Sequence, residues 1–335
     1  MFDPKDSFRR SDQLADAGDW DELLRLHEEA DVALAGSTDP AERRDLERAR
    51  GTVASVFIVE APAPYAAEAA RLTERQSSQR SSLLWEVLAQ HWTWGQVGPC
   101  LTDPELRHLV AHARVMRGED LTNSAAELGT ELLGDIPFAL ESWEAAFWNP
   151  QISPKSYNRH GSAGGLTGIP THAVTDRIPL PLPDTDAPDI AWTAPEPGLP
   201  GAVDNPSYAA VAGPLRCTAA QAASRHFHCL PIHERPSQAV PVTFPVAYPT
   251  LLGVLGGQGA YTSESTALGR IAVWRLLRRM AELPDDCPAG AVSEYVDGLT
   301  CLTWTLTSDE IWYVHLAVEH TRTGTSWLID GQDID

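Results

Sequence analysis

The sequence has no CxxC pair, no apolar run long enough to cross a bilayer, no apolar core behind its charged N-terminus, and few basic residues. Each absence excludes something. The five cysteines (Cys100, Cys217, Cys229, Cys287 and Cys301) are scattered and odd in number. That pattern fits reduced thiols better than a disulfide framework or a zinc finger. A membrane span needs about 18–20 consecutive apolar residues, and no such stretch exists. The opening MFDPKDSFRRSDQLADAGDWDEL lacks a signal-peptide core, so a cytoplasmic address is expected. The chain carries 25 Lys and Arg against 46 Asp and Glu, a net charge of −21. Residues 1–150 hold 27 acids and 14 bases and residues 151–335 hold 19 and 11, so the acidity is global. Such a field keeps a protein soluble and opposes binding to nucleic acid or an anionic membrane. It leaves a basic protein partner open.

Chemical signatures are also scarce. There is no GxSxG nucleophile elbow, no HExxH, and no deaminase HxE with PCxxC. No Ser/His/Asp or Cys/His group is evident along the chain.

Three regions are present. Residues 1–148 read as helix after helix. WDELLRLHEEADVALAG, TDPAERRDLERARGTVASVFIVE and TDPELRHLVAHARVMRG carry cap residues, prolines in the first turn, or apolar positions three and four apart. SAAELGTELLG and SWEAAFW close the series, and no repeat period is clean, so an irregular α-solenoid or bundle is expected. Residues 149–250 are Pro-rich and irregular: 17 of the 26 prolines lie between Pro150 and Pro249, and VPVTFPVAY reads as extended. Residues 251–335 read as an α+β unit. ESTALGRIAVWRLLRRMAEL is a helix with Ala267, Ile271, Trp274 and Leu277 on one face. GLTCLTWTLT, EIWYVHLAVEH and TSWLID form an antiparallel meander. In its second strand Trp312, Val314, Leu316 and Val318 share one face, with Tyr313, His315 and Ala317 on the other. The fold class expected is thus mixed α and α+β.

The pieces ESWEAAFW, GGQGAY…ALGRIAVWRLL and IWYVHLAVEHTRTGTSWLIDGQDID resemble an actinobacterial, Streptomyces-type family of unknown function. The resemblance covers about half of the chain and does not reach the Pro-rich middle. It implies N-terminal helices joined to a C-terminal α+β unit with a terminal acidic signature, and no catalytic residue.

A few residues remain as candidates. RHFHCLPIHERP, residues 225–236, packs His226, His228 and His233 together with Cys229 and Glu234. On a strand His226 and His228 would share a face and chelate zinc, iron or manganese, with His233 or Glu234 completing the set. Glu234 could alternatively act as a base. The spacing misses the cupin pattern, and the simpler alternative is a histidine-rich turn. His108 and His112, four apart on a helix, suit a structural role. LLGVLGGQGAYTSES places Gly257 and Gly259 before a helix, where backbone N–H groups attract anions, with Tyr261 and Arg270 as the nearest side chains. A tight turn bringing a strand onto the helix is the alternative. Arg275, Arg278 and Arg279 share a helical face that could grip an acidic partner or a phosphate, and the simpler alternative is a face that is solvated or paired with Asp285 and Asp286. Glu144, set among Trp143, Phe147 and Trp148, could have a raised pKa and serve as an acid or base. Asp330, Asp333 and Asp335 could hold calcium only weakly, because DGQDID is not an EF-hand loop. The function expected first is a non-catalytic protein-interaction or regulatory module. A metal-dependent enzyme using His226, His228 and His233 is the alternative, and an acidic inhibitor or immunity protein for a basic partner is the third.

Overall fold

A computed structural model of the chain describes residues 2–77, 83–129, 136–144, 156–159, 161–163, 168–171, 174–182, 190–195, 209–227, 235–257, 265–306, 309 and 312–333. The chain divides into two compact units, Met1–Leu121 with Lys155–Ala163, and Thr122–Pro154 with Gly164–Asp335.

The first unit is helical: α1 (Pro4–Ala17), α2 (Trp20–Gly36), α3 (Pro40–Glu60), α4 (Ala66–Ser77), α5 (Leu84–His91), α6 (Trp94–Val97) and α7 (Pro104–Met116). The starts follow from local chemistry. Asp39 precedes Pro40 and accepts the Ala41 N–H at 3.0 Å, and Asp103 precedes Pro104 and accepts from Glu105 and Leu106 at 2.9 and 3.0 Å. A carboxylate there satisfies orphan N–H groups and faces the positive end of the helix dipole. Leu23, Leu26, Val53, Phe57, Ile58, Leu88 and Val110 form a core sealed from solvent. His108 and His112 are buried in α7, and His108 Nδ1 bonds the Pro104 carbonyl at 2.7 Å. This unit is not wholly α. It takes in a short hairpin, β1 (Ser156–Asn158) and β2 (Gly161–Ala163), held by Gln90, whose amide both donates to and accepts from the Tyr157 backbone at 2.8 Å.

The second unit begins at Thr122, earlier than the boundary at 148 that the helical pattern suggests. It holds α8 (Ala125–Leu128), β3 (Ile178–Pro179), β4 (Trp192–Thr193), β5 (Ala209–Leu215), α9 (Ala219–His226), β6 (Gln238–Val242), α10 (Phe244–Leu255), α11 (Thr266–Met280), α12 (Ala289–Asp297), β7 (Leu299–Thr303), β8 (Trp312–His320) and β9 (Thr325–Asp333). A seven-stranded antiparallel sheet runs β3-β6-β7-β8-β9-β5-β4. The meander β7-β8-β9 is its centre, and the Pro-rich middle supplies both flanks. The region read as irregular therefore supplies four of the seven strands. Pro179 sits on the edge strand β3, Pro214 in the irregularity between Ala212 and Leu215 of β5, and Pro241 on β6 beyond the two residues paired with β3, all places where a missing N–H costs little.

VPVTFPVAY is extended only to Val242. Pro245 lies in the first turn of α10 and Pro249 inside it. The helix is buried on nearly all sides, and burial of Phe244, Tyr248, Leu251 and Leu252 offsets the hydrogen bond that Pro249 cannot make. Consequently a helix, not a strand, turns through Gly256 and Gly257 onto α11. A Cβ at Gly269 would collide with the Leu252 carbonyl, so Gly269 sets the close approach of α10 and α11.

The two faces of the sheet differ. Val314, Leu316, Val318, Trp327 and Ile329 are buried on the face that meets α10. On the other face α9 packs over Ala212, Leu302, Trp304, Ala317 and Leu328 through Ala219, Ala222, Ala223 and Phe227. Small residues on α9 let it lie close to the strands. A capping box of Thr218 and Gln221 starts it, and Glu319 of β8 accepts the Ala219 N–H at 2.8 Å. Helix α9 thereby points its C-terminal residue, His226, at β9.

Candidate functional site: a histidine and carboxylate cluster on the sheet

His315 and Asp330 are directly opposed on β8 and β9. Their side chains project to the α9 face, where His315 Nδ1 meets Asp330 Oδ1 at 2.6 Å. The other ring nitrogen, Nε2, meets Asp309 Oδ1 at 2.8 Å. Asp309 is fixed in turn, because its second oxygen accepts the Leu306 N–H at 2.5 Å. From above, His226 Nε2 reaches the same Asp330 Oδ1 at 3.2 Å. The order is Asp309, His315, Asp330, His226, drawn from the β7–β8 connection, β8, β9 and the end of α9.

The electrostatics follow from this pairing. Burial disfavours a charged imidazole at His315, but carboxylates on both nitrogens outweigh it and raise its pKa from 6.5 to about 9. Both nitrogens are then donors, and His315 is a cation at neutral pH. The ring of Trp304 lies nearly parallel to it with centroids 5.8 Å apart, an arrangement that favours the cation further. Burial would raise the Asp330 carboxyl, yet hydrogen bonds from His226 and His315 lower it to about 2. Exposure separates the two histidines: the side chain of His315 is 2% exposed and that of His226 14%. Trp192 and Trp304 flank the His226 ring at 5.3 and 6.2 Å.

Of the metal candidates, His226 is thus placed at a helix end and not on a strand, so the alternation that would align it with His228 does not apply. His228, His233 and Glu234 lie outside the described residues, as do Gly259 and Tyr261. Among the described residues, no group of three or more His, Cys, Asp or Glu side chains is arranged to hold a metal ion. Gly257 is described and sits in the turn after α10 with a φ of 92°.

Glu144 and Arg270 come together, away from any exposed surface. Both side chains are 0% exposed. Arg270 Nε donates to Glu144 Oε1 at 2.8 Å and Nη2 to Oε2 at 2.9 Å. Nη1 also donates to the Pro137 carbonyl at 2.8 Å and Nη2 to the Ala139 carbonyl at 2.9 Å. Glu144 also accepts from Tyr248 Oη, Trp274 Nε1 and the Glu141 N–H. The raised pKa expected of Glu144 is reversed: burial pushes it up, but the Arg270 charge and these donors bring it below its ordinary value. Its neighbourhood is a saturated ion pair that ties residues 136–144 to α11. The basic face is only partly solvated, with Arg275 and Arg279 half-buried and Arg278 wholly buried. Arg278 is buried over the Trp274 ring at 5.9 Å, and Arg279 lies over Trp327.

With this geometry in hand, comparison with known proteins places the chain. A family of unknown function (DUF6183) matches residues 5–335. The chain belongs to DUF6183. Membership spans the Pro-rich middle as well, including RHFHCLPIHERP, so the family likeness extends well past the pieces that first suggested it. No curated protein and no solved structure matches the chain. No helix among the described residues is long and apolar enough to cross a membrane.

Proposed function

We propose that this DUF6183 chain carries an acid–base site in which His226 exchanges the proton and Asp330 orients it. The observation that carries the reading is the sharing of Asp330 Oδ1 by His226 and His315. A hydrogen bond from His226 Nε2 to Asp330 leaves Nδ1 as the basic nitrogen, the arrangement of a general base held by a carboxylate. His315 is ill-suited to that role, since both of its nitrogens are engaged. Its charge instead holds Asp330 ionised, and Asp309 holds His315. His226 is the more exposed imidazole of the two, at the open end of the chain of contacts.

The same geometry accommodates the metal-dependent alternative: a carboxylate on one imidazole nitrogen leaves the other free for a cation. Zinc, iron or manganese would then need further ligands from His228, His233 or Glu234. The reading as a protein-binding module, or as an inhibitor of a basic partner, keeps the support of the −21 net charge.

The test is a panel of chromogenic acyl, amide and phosphoryl esters, run with and without added zinc or manganese. Wild-type protein is compared with His226→Gln. A turnover that falls by about 10²–10⁴-fold in the variant is the expected result. Turnover that His226→Gln leaves intact, or no turnover on any class, refutes the acid–base reading. Metal-dependent turnover selects the alternative.

A further inference from the structure

Arg278 stands two turns after Arg270 on the same stripe of α11, with Trp274 between them. Both arginines are buried, at 1% and 0% exposed. Arg270 spends its guanidinium on a carboxylate and two carbonyls. Arg278 Nε, Nη1 and Nη2 are all buried, and among the described residues none of the three has a hydrogen-bond partner. No ion pair joins it to the exposed Asp285 or Asp286 in the connection that follows, although the Leu283 N–H bonds its backbone carbonyl at 2.9 Å. An arginine cannot shed its charge in a protein, and a buried cation without acceptors is strongly disfavoured. The Trp274 ring lies with its centroid 5.9 Å from the Arg278 Cζ, and an aromatic face attracts the cation without accepting in-plane N–H bonds. Those edges form a fork matched to two oxygens of one oxyanion. Position in the last turn of α11 already favours a cation there, and so does not explain the missing acceptors.

We infer that Arg278 is the anchor of an internal oxyanion site in the second unit, taking inorganic phosphate or the carboxylate of a small ligand edge-on to its guanidinium. The site is separate from the histidine cluster and does not depend on it. Its Arg270 counterpart shows what a buried guanidinium obtains elsewhere in this core, and the oxyanion supplies the equivalent at Arg278.

Protein purified in chloride buffer tests this in two parts. One portion is denatured and its released anions are quantified by ion chromatography. The other is titrated with phosphate, and separately with acetate, and followed by thermal unfolding. The proposal expects either about one equivalent of released oxyanion, or a midpoint rise of several degrees at an anion concentration about a hundred times the Kd. Arg278→Met should lose both. Response to phosphate but not acetate identifies a phosphate site, and the converse a carboxylate site. No released anion together with no response, or an equal response from Arg278→Met, overturns the proposal. Should that variant not fold, wild-type crystals grown in selenate decide: an anomalous peak within hydrogen-bonding distance of Arg278 supports the site, and ordered water alone there rejects it.

Discussion

The sharpest consequence of the cluster is the pH dependence of stability contributed by His315. The perturbation is His315→Gln, which keeps a planar polar side chain and removes the titration. In the native state the imidazole pKa is raised from 6.5 to about 9. A raised pKa means the native state holds the proton more tightly than the unfolded chain. The contribution is therefore fully present below about pH 6.5 and is lost as pH climbs through about 9. At about 1.36 kcal/mol per pH unit, the interval corresponds to roughly 3 kcal/mol, a substantial part of the ~5–15 kcal/mol that holds a domain folded. The depressed Asp330 pKa reports the same contacts from the other side, so the two are not added. The assay is urea denaturation at pH 6, 7.5, 9 and 10 for both proteins. Other groups titrate at alkaline pH, so the readout is the difference between wild type and variant. That difference should be largest at pH 6 and shrink by roughly 3 kcal/mol by pH 10. A difference independent of pH would refute the assignment of His315 as an imidazolium held between two carboxylates.

Asp330→Asn should lower the His315 pKa toward neutrality and shift the His226 resonance in an NMR titration, because both rings share Oδ1; a change confined to one ring contradicts the shared oxygen. Glu144→Leu should destabilise by about 3–5 kcal/mol by stranding the Arg270 charge. Glu144→Leu with Arg270→Met should recover part of that loss in chemical denaturation, and a further loss would contradict the pairing. Gly269→Ala should cost about 1–3 kcal/mol, since the methyl meets the Leu252 carbonyl, whereas Gly36→Ala, with open space at its Cβ, should be neutral or slightly stabilising by thermal melt.

The helices of the first unit and the meander were legible because their signals are local. Asp39-Pro40 and Asp103-Pro104 mark starts whatever lies elsewhere, and the alternation of β8 assigns its faces without knowledge of its neighbours. The His315–Asp330 pair was within reach too. A turn at residues 321–324 puts His320 opposite Thr325, and counting five residues back along each strand meets His315 and Asp330. Asp309 and His226 were not within reach, because a connection and a helix end carry no register. The middle misled for a physical reason. Proline content argues against regular structure, but an edge strand, a strand irregularity and a largely buried helix tolerate it, and all three lie there. Arg278 misled in the same way: its charge suggested solvent, while its position four residues after Trp274 put it on the apolar stripe.

The two buried charge clusters of the second unit answer the same problem differently, and the difference separates structure from chemistry. Around Glu144 and Arg270, five donors reach the carboxylate and the guanidinium bonds it at two nitrogens and two carbonyls besides. Adding or removing a proton there breaks several bonds at once, so the pair serves as a brace. Around His315 the bonds are as tight at one end, but the series terminates at His226, a partly exposed imidazole bonded to Asp330 through a single nitrogen. On the acid–base reading proposed above, that terminus is where the proton is exchanged, while His315 and Asp309 keep their contacts. A fold that only needed to join β8 to β9 would gain little by extending the cluster to the end of α9. The extension makes sense as a means of holding one imidazole at a fixed angle, with Nδ1 the nitrogen that Asp330 does not engage.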